Sequence, residues 1–339
     1  MPKSNLVVFA QPGEVELHTV ELGDPGPGEI AIRTIYSLVS TGTELRVLAG
    51  HYGSAGKFPL VPGYSLVARV EAVGPDVKHL REGDLVSCGN MPAKPGFEAQ
   101  WGAQGSYHIC SATGPLLLPE NAKALDYVTV EIGAIPLRGA TMAQPKPGET
   151  VVVIGQGLIG ALSAKWFALH KTRVIVVDIS HERGHRAVAR GAFAFVDGRD
   201  ADVVDRVKAY CPSGADIVVE ASGSVPGIEL AMKLVKPIGG WSDGTPVTGL
   251  SRLVLQANYL AEVTHNLFSA FPGEGLTLLT PMDRRVTDRQ AVVTNIAAGR
   301  FHSHEFVDKV VPWDSAREAY QALRDRPDQH FSLIFDWTL

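Results

Sequence analysis

The chain has 339 residues, 45% of them hydrophobic and 20% charged, with a net charge of −5, which suits about two globular domains. Acidic and basic residues are interleaved, so there is no electrostatic footprint for nucleic acid or an anionic membrane surface. No apolar run approaches the roughly 18 residues of a membrane span, and "MPKSNLVVFA" lacks a signal-peptide pattern, so the expected setting is the cytoplasm. Cys88, Cys110 and Cys211 are an odd, widely spaced set without a CxxC pair, which reads as free reduced thiols.

In chain order, "NLVVFA", "EVELHTVEL" and "GEIAIRTIYSLV" are short alternating runs broken by the turn "GDPGPGE", a β-rich start. Strands continue from about Leu85 to Leu118, interrupted by the Gly/Pro-rich "GNMPAKPGFEAQWGAQG", expected on the surface or over a cleft. Near Ala124 the character changes. "ALDYVTVEIGAIPLRGATMA" predicts a helix, "KPGE" a turn, and from there strands and helices alternate at βαβ spacing to about Pro281. The runs "VVVIG", "RVIVVD", "FAFVD", "DIVVEAS", "RLVLQA" and "LTLLTP" are short and almost wholly apolar, as parallel strands covered on both faces should be. "TDRQAVVTNIAAGR" and "WDSAREAYQALRD" predict later helices, and "HFSLIFDW" a closing strand.

Between the first apolar strand and its helix lie Gly155, Gln156, Gly157, Leu158, Ile159 and Gly160, and the next strand ends on Asp178, 18 residues beyond the last glycine. A bare GxGxxG says little; with strand, helix and terminal acid in place it predicts a dinucleotide site. Gly155 permits the tight turn, Gly157 lets backbone approach a pyrophosphate, and Gly160 lets helix and strand pack closely. The helix N-terminus then offers unpaired N–H groups to the phosphates. Asp178 would accept from the ribose hydroxyls and repel a 2′-phosphate, which favours NAD over NADP. Arg183 follows closely on Asp178, "VVEASG" supplies Ala221 and Ser222 as a second wall, and Gln256 ends the following strand. The alternative is a purely structural βαβ turn.

A β-rich first part, a dinucleotide fold and a return tail together resemble the medium-chain dehydrogenase/reductase superfamily over nearly the whole chain. The resemblance rests on the glycine fingerprint, "STGTELRVLAG", "PLVPGYSLVARVEAVG", "REGDLV" and "KPGETVVVIGQGLIG". It implies a GroES-like β-rich catalytic domain over 1–122, an α/β Rossmann domain with a doubly wound parallel sheet over 123–297, and a return to the catalytic domain over 298–339. It also implies a homodimer joined at the edges of the nucleotide sheets. In zinc-dependent members the first stretch supplies a Cys ligand, a Ser or Thr proton relay and a His; here those positions hold Thr41, Thr43 and Arg46. Where such members read Gly-His-Glu this chain has Gly63, Tyr64 and Ser65, and the third ligand falls at Glu131. The four-Cys lobe for a structural zinc is missing as well. Thr, Tyr and Glu do not make a tetrahedral zinc set, so the expectation is an enzyme with no metal. "STGTE" with "PLVPGY" resembles a zinc-lacking branch that includes the bacteriochlorophyllide a dehydrogenases, and "WSDGTPVTG" is extra sequence relative to it.

Without zinc, oxidation of an alcohol needs a side chain to take the hydroxyl proton as hydride leaves. Tyr64 is the first candidate, with Thr43 to pass the proton, Glu131 as another base and His51 as the exit to solvent. Each has a plainer reading. "STGTE" is also a capping-box pattern from Thr41 to Glu44, Tyr64 would fill a former metal cavity, and Glu131 would pair with Arg138 along its helix. The leading reading is NAD-dependent oxidation of a secondary alcohol (polyol, sugar or hydroxyalkyl compound) to a ketone. The alternatives are a zinc-free enone or quinone reductase and a non-catalytic NAD sensor.

Overall fold

The computed structural model describes residues 1–52, 57–237, 250–264, 276–326, 330 and 332–339. The extra stretch 241–249 lies outside the described residues. The chain forms two compact units, residues 1–134 with 286–339 and residues 135–285. These passages differ from the expected 122/123 and 297/298. The reason lies in two helices: Val130–Ala143 begins with Glu131, whose carboxylate bonds to Ser87 and to Arg289 of helix Val286–Ala297, and both partners belong to the first unit.

The first unit carries two sheets. The smaller orders Glu14–Glu21, Lys3–Gln11, Leu60–Val61 and Glu98–Ala99. The larger runs Lys309–Pro312, Ser332–Asp336, Glu29–Ser40, Leu66–Val73, Leu85–Cys88 and Leu116–Leu117, with Tyr107–Ser111 also on Glu29–Ser40. The return tail therefore closes this sheet: Ser332 pairs with Ser40 and Asp336 with Tyr36, antiparallel. Beneath that pairing Phe9, Val39, Val47, Tyr320, Leu323 and Phe335 share one apolar cluster. Burial of that kind contributes roughly 25 cal/mol per Å². It fixes the end of the long strand at Ser40, from which helix Thr41–Leu48 starts.

The Gly/Pro-rich stretch after Met91 lies at the surface over Pro92, Ala93, Pro95 and Gly96, as its composition suggests, and then turns inward. Gln104 and Ala103 are fully buried, because their backbone groups are paired: Gln104 N–H donates to Pro62 O, Ala103 N–H to Gly63 O and Val7 N–H to Gln104 O. A segment without periodicity can still enter a core once its N–H and C=O groups have partners.

The second unit is a six-stranded sheet in the order Ala194–Asp197, Arg173–Asp178, Thr150–Ile154, Ile217–Glu220, Ser251–Leu255, Leu276–Leu279, every pair parallel. This is the doubly wound order, with a switch point beside the strand that precedes the glycines. Val151, Val152 and Val153 are completely buried, so the unbroken apolar run is what a doubly covered strand requires. Ser180 and Ser224 cap helices His181–Ala189 and Val225–Leu234 by accepting from Arg183 N–H and Gly227 N–H. Both helices thus begin at the C-terminal edge of the sheet. Among the described residues no helix is long and apolar enough to cross a membrane, and all three cysteines are buried free thiols.

Candidate active site

In the second unit the three fingerprint glycines have different constraints. Gly155 has φ +88° and a Cβ there would lie 2.7 Å from Ser222 N, while at Gly160 it would lie 1.8 Å from Gly155 O. Neither position accepts a side chain. Gly157 is the opposite: nothing lies within 4 Å of its absent Cβ, and it is the N-cap of helix Leu158–Leu169 with no side chain to satisfy the first turn. An open concavity lined by helix-terminal N–H groups fits a pyrophosphate.

Asp178 is almost buried and its carboxylate is oriented by backbone: Oδ2 accepts from Gln156 N–H and Oδ1 from Ser180 N–H at 2.7 Å. A carboxylate has about four acceptor positions, which leaves capacity for ribose hydroxyls. Leu158 and Ile159 form the first helical turn after Gly157. Arg183 sits in the next helix, its backbone N–H spent on the Ser180 cap. Ala221 and Ser222 stand against the glycine turn, Ala221 N–H donating to Ile154 O at 2.8 Å. Gln256 is buried with Nε2 directed to Ile135 O at 3.4 Å and Oε1 over Gly139, so its amide is engaged with the helix Val130–Ala143. These residues fit a nicotinamide dinucleotide, with Gly157 and the helix turn for its phosphates and Asp178 for its adenosine ribose.

One cluster at this edge has no counterpart in the sequence reading. Glu220, fully buried, accepts from Ser222 N–H at 2.9 Å, Gly223 N–H at 3.2 Å, and the hydroxyls of Ser222 and Tyr259. Burial, and then the Glu220 carboxylate as hydrogen-bond acceptor and charge, push the Tyr259 phenol far above its ordinary range. No spacing rule links residues 220 and 259. Only parallel pairing of the strands that precede them brings them together.

In the first unit, Tyr64 OH donates to Ser40 Oγ at 2.6 Å and reaches Thr43 Oγ1 at 3.5 Å. Its ring meets Trp101 edge-on, centroids 5.1 Å apart. Gly63 makes this possible: φ is +90° and a Cβ would sit 2.6 Å from Gln104. Ser65 Oγ donates to Val128 O and Leu38 N–H to Ser65 O, so the phenol is held on both sides along the chain. Ser40 was overlooked in the sequence although it opens the "STGTE" run; what identifies it is its place as the last residue of a strand.

Behind the hydroxyls lies a completely buried carboxyl. Glu44 accepts from Ser40 N–H at 2.8 Å, from Tyr320 OH at 2.5 Å and from Gln104 Nε2 at 3.2 Å. Burial pushes it up to about 7, against the lowering effect of the bonds from Tyr320, Ser40 and Gln104. The expected capping box is only half made. Glu44 reaches back to a backbone N–H, but the N-cap is Ser40, Thr41 is the first helical residue, and the Ser40 side chain makes no cap bond; its oxygen accepts from Tyr64 instead.

Two other candidates are placed differently. Glu131 is not positioned as a free base: Oε1 accepts from Ser87 Oγ at 2.9 Å and from Arg289 Nε at 2.8 Å. Arg289 is fixed in turn by Gly114 O and Ser87 O. Arg289 comes from a helix 158 residues away in sequence, a partner that no local spacing along the Glu131 helix signals. His51 lies exposed just beyond helix Thr41–Leu48, its N–H bonded to Arg46 O.

Thr41, Tyr64 and Glu131 offer one alcohol, one phenol already bonded to Ser40, and one carboxylate oxygen already accepting twice. Zinc takes thiolate, imidazole or carboxylate, and this set does not fit it. Among the described residues no group of three or more His, Cys, Asp or Glu side chains is arranged to hold a metal ion.

Comparison with known proteins gives the wider context. The alcohol dehydrogenase GroES-like domain family matches residues 26–156 and the zinc-binding dehydrogenase family matches 154–242; the second match includes none of Thr41, Tyr64 and Glu131. An uncharacterized zinc-type alcohol dehydrogenase-like protein of Escherichia coli is 26% identical over 265 residues, 69% of this chain and 74% of that one. D-xylulose reductase A of Aspergillus niger is 27% identical over 304 residues, 80% and 81% of the two chains. In structure, an Escherichia coli oxidoreductase/dehydrogenase of unknown specificity involved in membrane biogenesis matches with a TM-score of 0.84 at 20% identity, covering 99% of each chain. With the glycine turn, the parallel sheet and two consecutive domain families running from residue 26 to 242, the chain belongs to the medium-chain dehydrogenase/reductase superfamily, as an alcohol dehydrogenase-like oxidoreductase.

Proposed function

We propose that this protein oxidises a secondary alcohol of the polyol, sugar or hydroxyalkyl class to a ketone, with NAD and without zinc, as a member of the zinc-lacking branch that includes bacteriochlorophyllide a dehydrogenases. The observation that carries the reading is the Tyr64 phenol 2.6 Å from Ser40 Oγ and 3.5 Å from Thr43 Oγ1, at the position where zinc-dependent relatives place a histidine ligand. A nicotinamide dinucleotide held by the Gly157 turn and Asp178 would supply the acceptor for the hydride, with its electron pair, from the carbinol carbon. Tyr64 takes the hydroxyl proton. As a base it works ionised, against a reference pKa of about 10, and the hydroxyls of Ser40 and Thr43 are within reach to donate to the phenolate. Thr43 passes the proton on and His51 delivers it to solvent; in the reduction direction the neutral phenol gives it back. A positioned acid–base group contributes about 10²- to 10⁴-fold.

Asp178 supports NAD, because a 2′-phosphate would meet a buried carboxylate already oriented by two N–H groups. The protein acts as a cytoplasmic homodimer joined at sheet edges, for which Leu276–Leu279, the edge strand of the second unit with Leu278 about half exposed, is the pairing strand. The test is NADH absorbance during a screen of polyols, sugars and hydroxyalkyl compounds, with NAD and NADP in parallel and metal content measured on the same sample. Turnover with NAD in metal-free, chelator-treated protein is expected. One equivalent of zinc in active, chelator-sensitive protein would overturn the reading.

A further inference from the structure

Beside Asp178 stands a second carboxylate that the cofactor fingerprint does not include. Strands Arg173–Asp178 and Ala194–Asp197 pair so that Asp178 and Asp197 are direct neighbours at the C-terminal edge of the sheet, and Gly198 N–H donates to Asp178 O at 2.9 Å. Two basic side chains of this corner, Arg199 and His181, both turn to Asp197. Arg199 donates from its backbone N–H at 2.9 Å, from Nε at 3.1 Å to Oδ1 and from Nη2 at 2.7 Å to Oδ2. His181 Nε2 lies 2.8 Å from Oδ2. The bonds from Arg199, with a smaller contribution from His181, hold the Asp197 carboxyl well below the usual carboxylate range.

We infer that Asp197 is a cofactor-specificity residue: by holding Arg199 and His181 to itself it denies a 2′-phosphate the cations it would need, and so reserves Asp178 for an unphosphorylated ribose. The inference rests on the NAD reading above and adds a second residue to it. A 2′-phosphate is doubly charged near neutral pH and is recognised by guanidinium forks. Here the Arg199 fork is occupied by a carboxylate one strand away from the ribose acid. Asp178 repels the phosphate, and Asp197 removes the compensation that would make the repulsion bearable. The basic partners are at the surface, Arg199 and His181 both more than half exposed, while Asp197 itself is buried at the strand end.

The experiment is binding of NADH and NADPH to the wild type and to Asp197→Asn, read by nicotinamide fluorescence at low and high salt. The asparagine keeps an oxygen for the Arg199 backbone N–H and releases the guanidinium. The ratio of NADPH to NADH dissociation constants is expected to fall by about tenfold, through tighter NADPH binding, as one charge-assisted contact to phosphate would give, and the gain should shrink as salt rises. An unchanged ratio, or equal weakening of both cofactors, overturns the role of Asp197. The NAD reading is tested separately by the wild-type ratio, which must favour NADH. Should the asparagine variant not fold, Arg199→Ala serves: with the guanidinium already engaged, NADPH affinity is expected to stay within about twofold, and a tenfold loss of NADPH alone would overturn the inference.

Discussion

Replacing Glu44 by glutamine should invert the relative stability of the two proteins as pH rises. The carboxyl is completely buried and moves from its ordinary 4.5 to about 7. Because its folded value is raised, the folded protein holds a proton that the unfolded chain has released between those two limits, so stability falls across this window as pH rises and the loss is complete above about 7. At 1.36 kcal/mol per pH unit, a shift of that size corresponds to about 3 kcal/mol. Glutamine does not titrate. At pH 4.5 the variant should be less stable by about 1 kcal/mol, because its amide must meet both the Gln104 amide and the Tyr320 hydroxyl where the carboxyl oxygen accepted from each. At pH 8 it should be more stable by about 2 kcal/mol, since the wild type then carries a buried negative charge. Urea unfolding of both proteins at half-unit steps from pH 4.5 to 8 measures the difference directly, and other titrating groups cancel in it. A difference that stays flat over the whole range would refute the reasoning, because Glu44 would then titrate alike in both states.

Tyr64→Phe should lower kcat by at least ~10²-fold with cofactor binding unchanged; a near-normal rate would make the phenol a packing residue against Trp101. Glu131→Gln should cost about 3–5 kcal/mol of stability by leaving Arg289 buried without its counter-charge, while the folded fraction keeps its kcat. A stable variant with selectively lost kcat, seen by pairing unfolding curves with active-site-normalised rates, would instead restore Glu131 as a base. Asp178→Ala should weaken NADH binding about tenfold or more, through loss of charged hydrogen bonds to ribose, and NADPH binding much less. Equal losses by fluorescence titration would remove the ribose assignment.

Local chemistry was legible from the chain alone. The glycine turn, the acid ending the next strand and the unbroken apolar runs are contiguous signals, and they suffice for a parallel Rossmann-like sheet, because steric permission at Gly155 and Gly160 and burial on both faces are properties of short segments. The β-rich start with its returning tail was legible for the same reason. The partners of polar groups were not. Glu131 pairs with Arg289, Glu44 with Tyr320, Glu220 with Tyr259 and Asp178 stands beside Asp197. In each case the carboxylate was visible and its counterpart arrives from another strand or helix. A buried or edge carboxylate takes whichever donor the packing delivers, since leaving it unpaired costs more than any local preference supplies. What the sequence determined by itself was which segments form strands, helices and the tight glycine turn between them. Only the tertiary structure decided which acids are engaged, and it left the Tyr64–Ser40–Thr43 hydroxyls grouped around a single phenol, because that choice depends on distances between segments that sequence separation does not encode.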